Sequence, residues 1–104
     1  MKESIRYKLE SVSDRFEELA GLLSDPDIIG DQNQFRDLSK EYSRVEPVVA
    51  LFREYQKLTA EIAAAEEMAN DPDSEIREMG RDELEGLTER QETVLVEQIG
   101  RAHV

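Results

Sequence analysis

The sequence has 104 residues, of which 37% are charged, 38% hydrophobic and 6% aromatic, with a formal net charge of −12 and no cysteine. This length allows one domain at most, and the apolar content is too high for a disordered tail. The lack of cysteine excludes disulfides and thiolate chemistry. Because no run approaches the roughly 20 apolar residues of a membrane span, we expect a soluble, cytoplasmic protein without membrane contact.

The negative charge is unevenly distributed along the chain. The balance is −1 over residues 1–24, −5 over residues 25–69 and −6 over residues 70–104. An acidic surface repels phosphates, so we expect no direct sequence-specific nucleic-acid binding. A ribonucleoprotein would instead be contacted through its protein, or through the basic cluster Lys2, Arg6 and Lys8. A solvated first helical turn is the favoured interpretation of this cluster.

The first predicted helix begins near Ile5 and ends near the sequence "LLSDPD". Its apolar residues recur at steps of three and four, which returns them to one helix face. Pro26 disfavours helical geometry at Asp25 and has no N–H of its own, so it should end the helix. The stripe consists of Ile5, Leu9, Val12, Phe16, Leu19 and Leu23.

The second predicted helix runs from about residue 33 to 69 after a short connector, "PDIIGDQN", in which Asp31 or Asn33 is the candidate N-cap. Such a helix would be about 55 Å long. An interior proline costs about 3 kcal/mol, so Pro47 should kink the helix or break it in two. The kink is favoured because the stripe keeps its phase. The stripe consists of Phe35, Leu38, Tyr42, Val45, Val49, Phe52, Tyr55, Leu58, Ile62, Ala65 and Ala69.

The third predicted helix follows "ANDPDSE", where Pro72 is a suitable first-turn residue and Asp73 and Glu75 complement the positive helix end. Short connectors make neighbouring helices antiparallel. The sequence therefore predicts an all-α fold: an elongated antiparallel three-helix bundle, or long helical hairpin, with a proline kink in its second helix. The third stripe is weaker and consists of Ile76, Met79 or Gly80, Leu84, Leu87, Val94, Leu95 and Ile99.

Residues that carry chemistry are scarce, and we predict no catalytic, cofactor-binding or metal-binding residue. A carboxylate-bridged di-metal site needs Glu-x-x-His on two helices, but His103 is the single histidine and lies outside every stripe. The pairs Glu17–Glu18 and Glu66–Glu67 indicate solvated faces. There is no P-loop and no nucleophile–base pairing. From the residues alone, the chain is interpreted as a helical interaction module rather than an enzyme.

Four stretches in order carry a family resemblance: "MKESIRYKLE", "DRFEELAGLLSDPDII", "DQNQFRDLSKEYSRVEPVVALFREYQ" and "EIAAAEEMANDPDSEIREMGRDEL". Together they resemble the N-terminal helical domain of the bacterial peptide chain release factor 1 family, over about residues 1–98. The strongest piece is "FRDLSKEYSRVEPVV". The sister factor that reads UGA lacks the "MKxSI" start and the "DPD" pattern.

The resemblance implies a role in translation termination at UAA and UAG codons. It implies contact with the ribosome at the stalk base of the large subunit, possible contact with the partner GTPase release factor, and no cofactor. The family's catalytic Gly-Gly-Gln loop and its codon-reading Pro-x-Thr have no counterpart in this sequence. No catalytic or codon-reading role is therefore carried over to any residue here, and we expect no peptide release by this chain.

The ending "IGRAHV" departs from the family pattern and resembles a translated sequencing adapter. We therefore expect residues 1–98 to form the domain of a truncated factor and residues 99–104 to be a non-native or frayed tail. Two rival functions remain at this stage. A free-standing coiled-coil adaptor would have the same stripes, and a helical carboxylate metalloenzyme would bind iron or manganese.

Overall fold

A computed structural model describes residues 1–101 as helices joined by short connectors, with no strand among those residues. The all-α prediction is confirmed. His103 lies outside the described residues. Two compact units divide the chain after Ala50. The helices are α1 (Glu3–Leu22), α2 (Pro26–Ile29), α3 (Gln32–Ala69) and α4 (Ser74–Thr93), followed by a π-helical segment (Val94–Ile99).

The first unit pairs α1 with the beginning of α3. Arg15 of α1 hydrogen-bonds to Glu41 of α3, and the ring of Phe16 stacks on that of Tyr42. Arg15 and Phe16 lie seven and six residues before the end of α1, and Glu41 and Tyr42 lie nine and ten residues after the start of α3, so α3 runs back along α1 as an antiparallel neighbour. The buried apolar side chains of this unit are Leu9, Phe16, Leu19 and Val49.

The second unit pairs the end of α3 with α4. Glu54 of α3 meets Arg90 of α4, whereas Met68, much later in α3, lies against Gly80, much earlier in α4. The numbering rises on one helix as it falls on the other, so the pair is antiparallel. The buried apolar side chains of this unit are Phe52, Leu58, Ala65, Val94 and Ile99.

Three aspartates cap the helix starts. Asp25 accepts from the N–H of Asp27 at 2.9 Å with Pro26 as the first helical residue, so the predicted connector contains the four-residue α2. Asp31, one of the two candidate caps, accepts from the N–H of Gln34. Asp73 accepts from the N–H of Glu75 at 2.9 Å.

The placement of Pro72 in the first turn of α4 was wrong. The helix begins at Ser74, because Asp73 is its cap. Pro72 instead lies in a turn in which Asp71 accepts from the N–H of Asp73 at 2.8 Å. In the first Asp-Pro-Asp sequence, the leading Asp25 is itself the helix cap. In the second, the cap is Asp73, two residues after the leading Asp71.

Pro47 lies inside α3, which is one continuous helix from Gln32 to Ala69. The alternative of a break into two helices was wrong. The apolar positions on both sides of Pro47 keep the same helical phase, so packing on either side stabilises one helix despite the lost hydrogen bond. The kink itself stays a prediction.

The weak third stripe uses Gly80 rather than Met79. Met79 is 58% exposed, whereas Gly80 is buried against α3. A Cβ at Gly80 would lie 2.7 Å from the carbonyl carbon of Met68 and would also overlap the backbone of Ala69. Only glycine allows the two backbones to approach this closely.

Residues Val94–Ile99 form a π-helical segment that the sequence pattern does not predict. The N–H of Gly100 donates to the carbonyl of Leu95 at 2.9 Å, an i to i+5 bond. This wider turn brings residues five apart onto one side, and both Val94 and Ile99 are buried. Ile99 had been assigned to the tail expected to be frayed, and its side chain is 4% exposed.

Candidate interaction surfaces

Within residues 1–101, no group of three His, Asp or Glu side chains is placed to hold a metal ion. Of the adjacent glutamates, Glu18 accepts a hydrogen bond from Arg15, and Glu66 and Glu67 are exposed. None of the described helices is long and apolar enough to cross a membrane. The surfaces of the two units are therefore the features to consider.

Arg15 and Glu41 join α1 to α3 through two parallel hydrogen bonds. The guanidinium donates from Nε to Oε2 at 2.7 Å and from Nη2 to Oε1 at 2.8 Å. A third bond runs from Nη1 of Arg15 to Glu18 at 2.9 Å. The hydrogen bond from Arg15 lowers the pKa of Glu41, and the same bond raises the pKa of Arg15. This bidentate geometry fixes the register of the two helices.

The ring pair Phe16–Tyr42 lies beside that ion pair. The ring centroids are 4.6 Å apart and the planes differ by 24°, an arrangement that adds about 0.5–1.5 kcal/mol beyond area burial. Glu41 and Tyr42 belong to the stretch "FRDLSKEYS" of α3. Their inward contacts hold this stretch of helix at a fixed rotation against α1.

The outward side of the same stretch is a shallow groove of 530 Å³, which we call the Phe35 face. It consists of Phe35, Arg36, Ser39, Lys40 and Ser43. The Phe35 side chain is 39% exposed although its position belongs to the predicted second stripe. Arg36 donates to the amide oxygen of Asn33 at 3.3 Å. Within the described chain, neither Arg36 nor Lys40 forms an ion pair with a carboxylate.

The basic cluster singled out in the sequence is only partly assembled. Arg6 lies 3.8 Å from Glu3, a distance typical of a weak surface pair. Lys8 lines a groove of 440 Å³ beside Tyr7, whose side chain is 74% exposed. Lys2 does not line that groove. These three cations therefore do not form one concentrated site.

The second unit has an open groove between α3 and α4, which we call the acidic groove. Its volume is 470 Å³, and it is lined by Glu61, Ala64, Asp82, Glu83, Gly86 and Leu87. Three carboxylates surround small and apolar residues. Lys57 is 3.9 Å from Glu61, a weak exposed pair that leaves the groove strongly negative.

Contacts on both sides of the acidic groove hold α3 and α4 together. Gly80 permits the close backbone approach at one end. Toward the other end, Nη2 of Arg90 donates to Glu54 at 2.5 Å, and Gln91 donates to the hydroxyl of Thr59 at 2.7 Å. Gly86 differs from Gly80, because a Cβ at Gly86 would meet no atom within 4 Å. Internal packing therefore explains Gly80 but not Gly86.

Neither surface was identified from the sequence. Phe35 was counted as a packing residue, and Arg36 and Lys40 were counted only in the regional charge. A signal was present nevertheless: Arg36, Lys40 and Ser43 recur at helical spacing on the side away from Leu38 and Tyr42. The acidic groove depends on which residues of two helices face each other, and one-dimensional spacing does not give that pairing.

Comparison with known proteins gives a family. The model of the PCRF domain matches residues 12–100, which is most of the chain and extends from the second half of α1 through α3 and α4. No solved structure matches the chain. The chain belongs to the PCRF-domain family, that of the peptide chain release factors, whose members act in translation termination on the ribosome.

Proposed function

We propose that this chain is the helical domain of a release factor of the class that ends protein synthesis at UAA and UAG codons in the cytoplasm. The match of the PCRF domain over residues 12–100 carries the family assignment. The stretches "MKESI" and "FRDLSKEYSRVEPVV" favour this class over the sister class that reads UGA. The codon class is thus an inference from likeness within the family.

The role of this domain is to bind protein rather than to perform chemistry. Within Leu51–His103 the sequence has fourteen acidic and six basic residues, and three of the carboxylates surround the acidic groove. A negatively charged groove with a small-residue floor fits a basic protein segment. We assign this segment to the protein at the stalk base of the large ribosomal subunit, near where the partner GTPase acts.

Peptide release itself is assigned to other parts of a release factor. Hydrolysis of peptidyl-tRNA requires hydrogen-bond donors that are aimed at the developing oxyanion. In the family a Gly-Gly-Gln loop does this, and the glycines of this chain stand singly at positions 21, 30, 80, 86 and 100. The acidic groove offers acceptors, which would repel an oxyanion rather than stabilise it.

A domain exchange tests the codon class. The chain replaces the corresponding helical domain in a release factor that reads UAA and UAG, and separately in the sister factor that reads UGA. We expect near-normal peptide release by the first chimaera and impaired release by the second. Equal activity in both chimaeras would remove the class assignment while leaving the family assignment intact. Loss of activity in both would contradict the proposed role.

A further inference from the structure

The proposed role of the acidic groove does not involve the residues of the Phe35 face. It combines one exposed aromatic ring, two cations and two hydroxyl groups on about two turns of α3. The chain has 25 acidic and 13 basic residues, so carboxylates are numerous enough to pair with every cation. Arg15 forms an ion pair with Glu41 at 2.7 Å, and Arg90 forms one with Glu54 at 2.5 Å. Among the residues that the structure describes, Arg36 and Lys40 form no such ion pair.

The spacing of the face brings its groups together. Arg36 and Lys40 are four residues apart, as are Ser39 and Ser43, so each pair lies on one helix side. Arg36, Lys40 and Ser43 are exposed and Ser39 is half-buried. Asp37 is adjacent to Arg36 in sequence and Glu46 lies three residues beyond Ser43 on the same helix side, and neither lines the groove. The cations therefore keep their charge available to an anion.

The face is also held rigidly from behind. Glu41 and Tyr42, which interleave with the face in sequence, are fixed by the guanidinium of Arg15 and the ring of Phe16. Phe35 lies seven residues before Tyr42, at the edge of this contact, and its side chain is 39% exposed. A ligand would accordingly meet preorganised groups and pay little ordering cost.

Phosphate and an unpaired base are the groups that fit this chemistry. Arginine, lysine and serine are the side chains that bind phosphate oxygens, and an exposed aromatic ring stacks on a base. An acidic peptide would use the cations and would leave Phe35 without a specific partner. The family acts on the ribosome, so the nucleic acid within reach is RNA.

We propose that the Phe35 face binds a single-stranded or looped RNA segment, with Arg36 and Lys40 on successive phosphates and one base stacked on Phe35. The contact is independent of sequence, because contacts to phosphates and stacking on a base do not read base edges. The net charge of −12 opposes it only weakly, since charges beyond about 10 Å are screened at 0.1 M salt. The inference rests on family membership and does not depend on the codon class or the stalk-base contact.

Fluorescence anisotropy with a short fluorescein-labelled oligoadenylate tests the proposal. The slope of log affinity against log salt should be about −1.4 for two phosphate contacts to a single strand. Arg36→Ala with Lys40→Ala should abolish most of that slope. The matched control, Arg81→Ala with Arg101→Ala, makes the same change in net charge at other exposed positions and should leave binding unchanged. Equal losses in both double variants would overturn the proposal.

Two variants of Phe35 separate stacking from charge. Phe35→Leu keeps an apolar side chain and should weaken binding by about fivefold or more, the scale of one lost base–aromatic stack. Phe35→Tyr keeps the ring and should bind normally, which also shows that a substitution here preserves the fold. A labelled polyglutamate peptide of the same length is the opposing probe. Tighter binding of this peptide than of the RNA, or indifference to Phe35→Leu, would contradict the proposal.

Discussion

Arg15 donates two parallel hydrogen bonds of 2.7 and 2.8 Å to the carboxylate of Glu41, and this contact helps to set which side of α3 faces α1. Tyr42 packs on Phe16 on the inner side, whereas Arg36 and Lys40 lie on the outer side, with Phe35 at the edge between them. One ion pair thus determines the orientation of a candidate binding surface that it does not touch.

This ion pair makes the stability of the first unit depend on pH. The pKa of Glu41 is lowered in the folded chain from an ordinary value of 4.5, so its contribution is present above that value and is lost as pH falls through the lower folded pKa. Glu41→Gln should therefore destabilise the protein at neutral pH, and the difference in melting temperature should shrink toward zero below pH 4.5. Denaturation followed by circular dichroism at several pH values measures this.

The control for that series is Glu10→Gln, which removes an exposed carboxylate from α1. We expect its melting temperature to follow that of the unsubstituted protein at every pH. An effect of Glu41→Gln that stays constant down to strongly acidic pH would show that the ion pair does not supply the stability.

The two glycines of α4 should respond in opposite directions to the same change. Gly80→Ala puts a Cβ 2.7 Å from the carbonyl carbon of Met68, and overpacking of this kind costs about 1–3 kcal/mol. Gly86→Ala meets no atom within 4 Å and should stabilise the helix by up to about 1 kcal/mol. Urea denaturation gives both free energies of unfolding. A destabilising Gly86→Ala would contradict the open groove at that position.

Asp73 should account for the start of α4. Asp73→Ala removes the acceptor for the N–H of Glu75 and should cost about 1 kcal/mol. Asp73→Asn retains a side-chain oxygen and should recover most of that loss. Comparable losses in the two variants would indicate that charge, rather than the capping hydrogen bond, is responsible.

Ile99 should stabilise the fold although it lies at the end of the described helices. Its side chain is 4% exposed, and truncating a buried isoleucine to alanine costs about 2–5 kcal/mol. Val96 of the same π-helical segment is 57% exposed, so Val96→Ala should cost much less. The two free energies of unfolding test this directly. Equal, small losses would support the expectation of a frayed tail.

The sequence predicted the helices well and the surfaces poorly, for a physical reason. Helix existence depends on local periodicity, so spacing alone predicts the three stripes, and Asp31 is one of the two candidate caps that residue type indicates. Features that depend on contact between distant residues were missed. The sequence alone does not distinguish Met79 from Gly80 as the buried position of the stripe. The backbone of α3 does, because it leaves no room for a side chain at position 80.

The short-range misses arose where two local rules compete. Pro72 follows an aspartate, which is typical of a proline in the first turn of a helix. Asp73, one residue later, caps the helix instead, so Pro72 lies before its start. The composition of the π-helical segment is typical of an α-helix. Its wider turn is evident only from the structure, in which both Val94 and Ile99 are buried.

A release-factor domain that acts on the ribosome through its surfaces should compete with the intact factor for the ribosome. The most direct measurement is peptide release from ribosomes stalled at UAA by a limiting amount of intact release factor, with increasing amounts of this chain added. We expect release to slow as the chain competes for the ribosome. We also expect Glu61→Lys with Glu83→Lys, in the acidic groove, to abolish this competition, whereas Glu66→Lys with Glu67→Lys should not. A rate that stays unchanged at every concentration, or one that rises because the chain releases peptide itself, would contradict it.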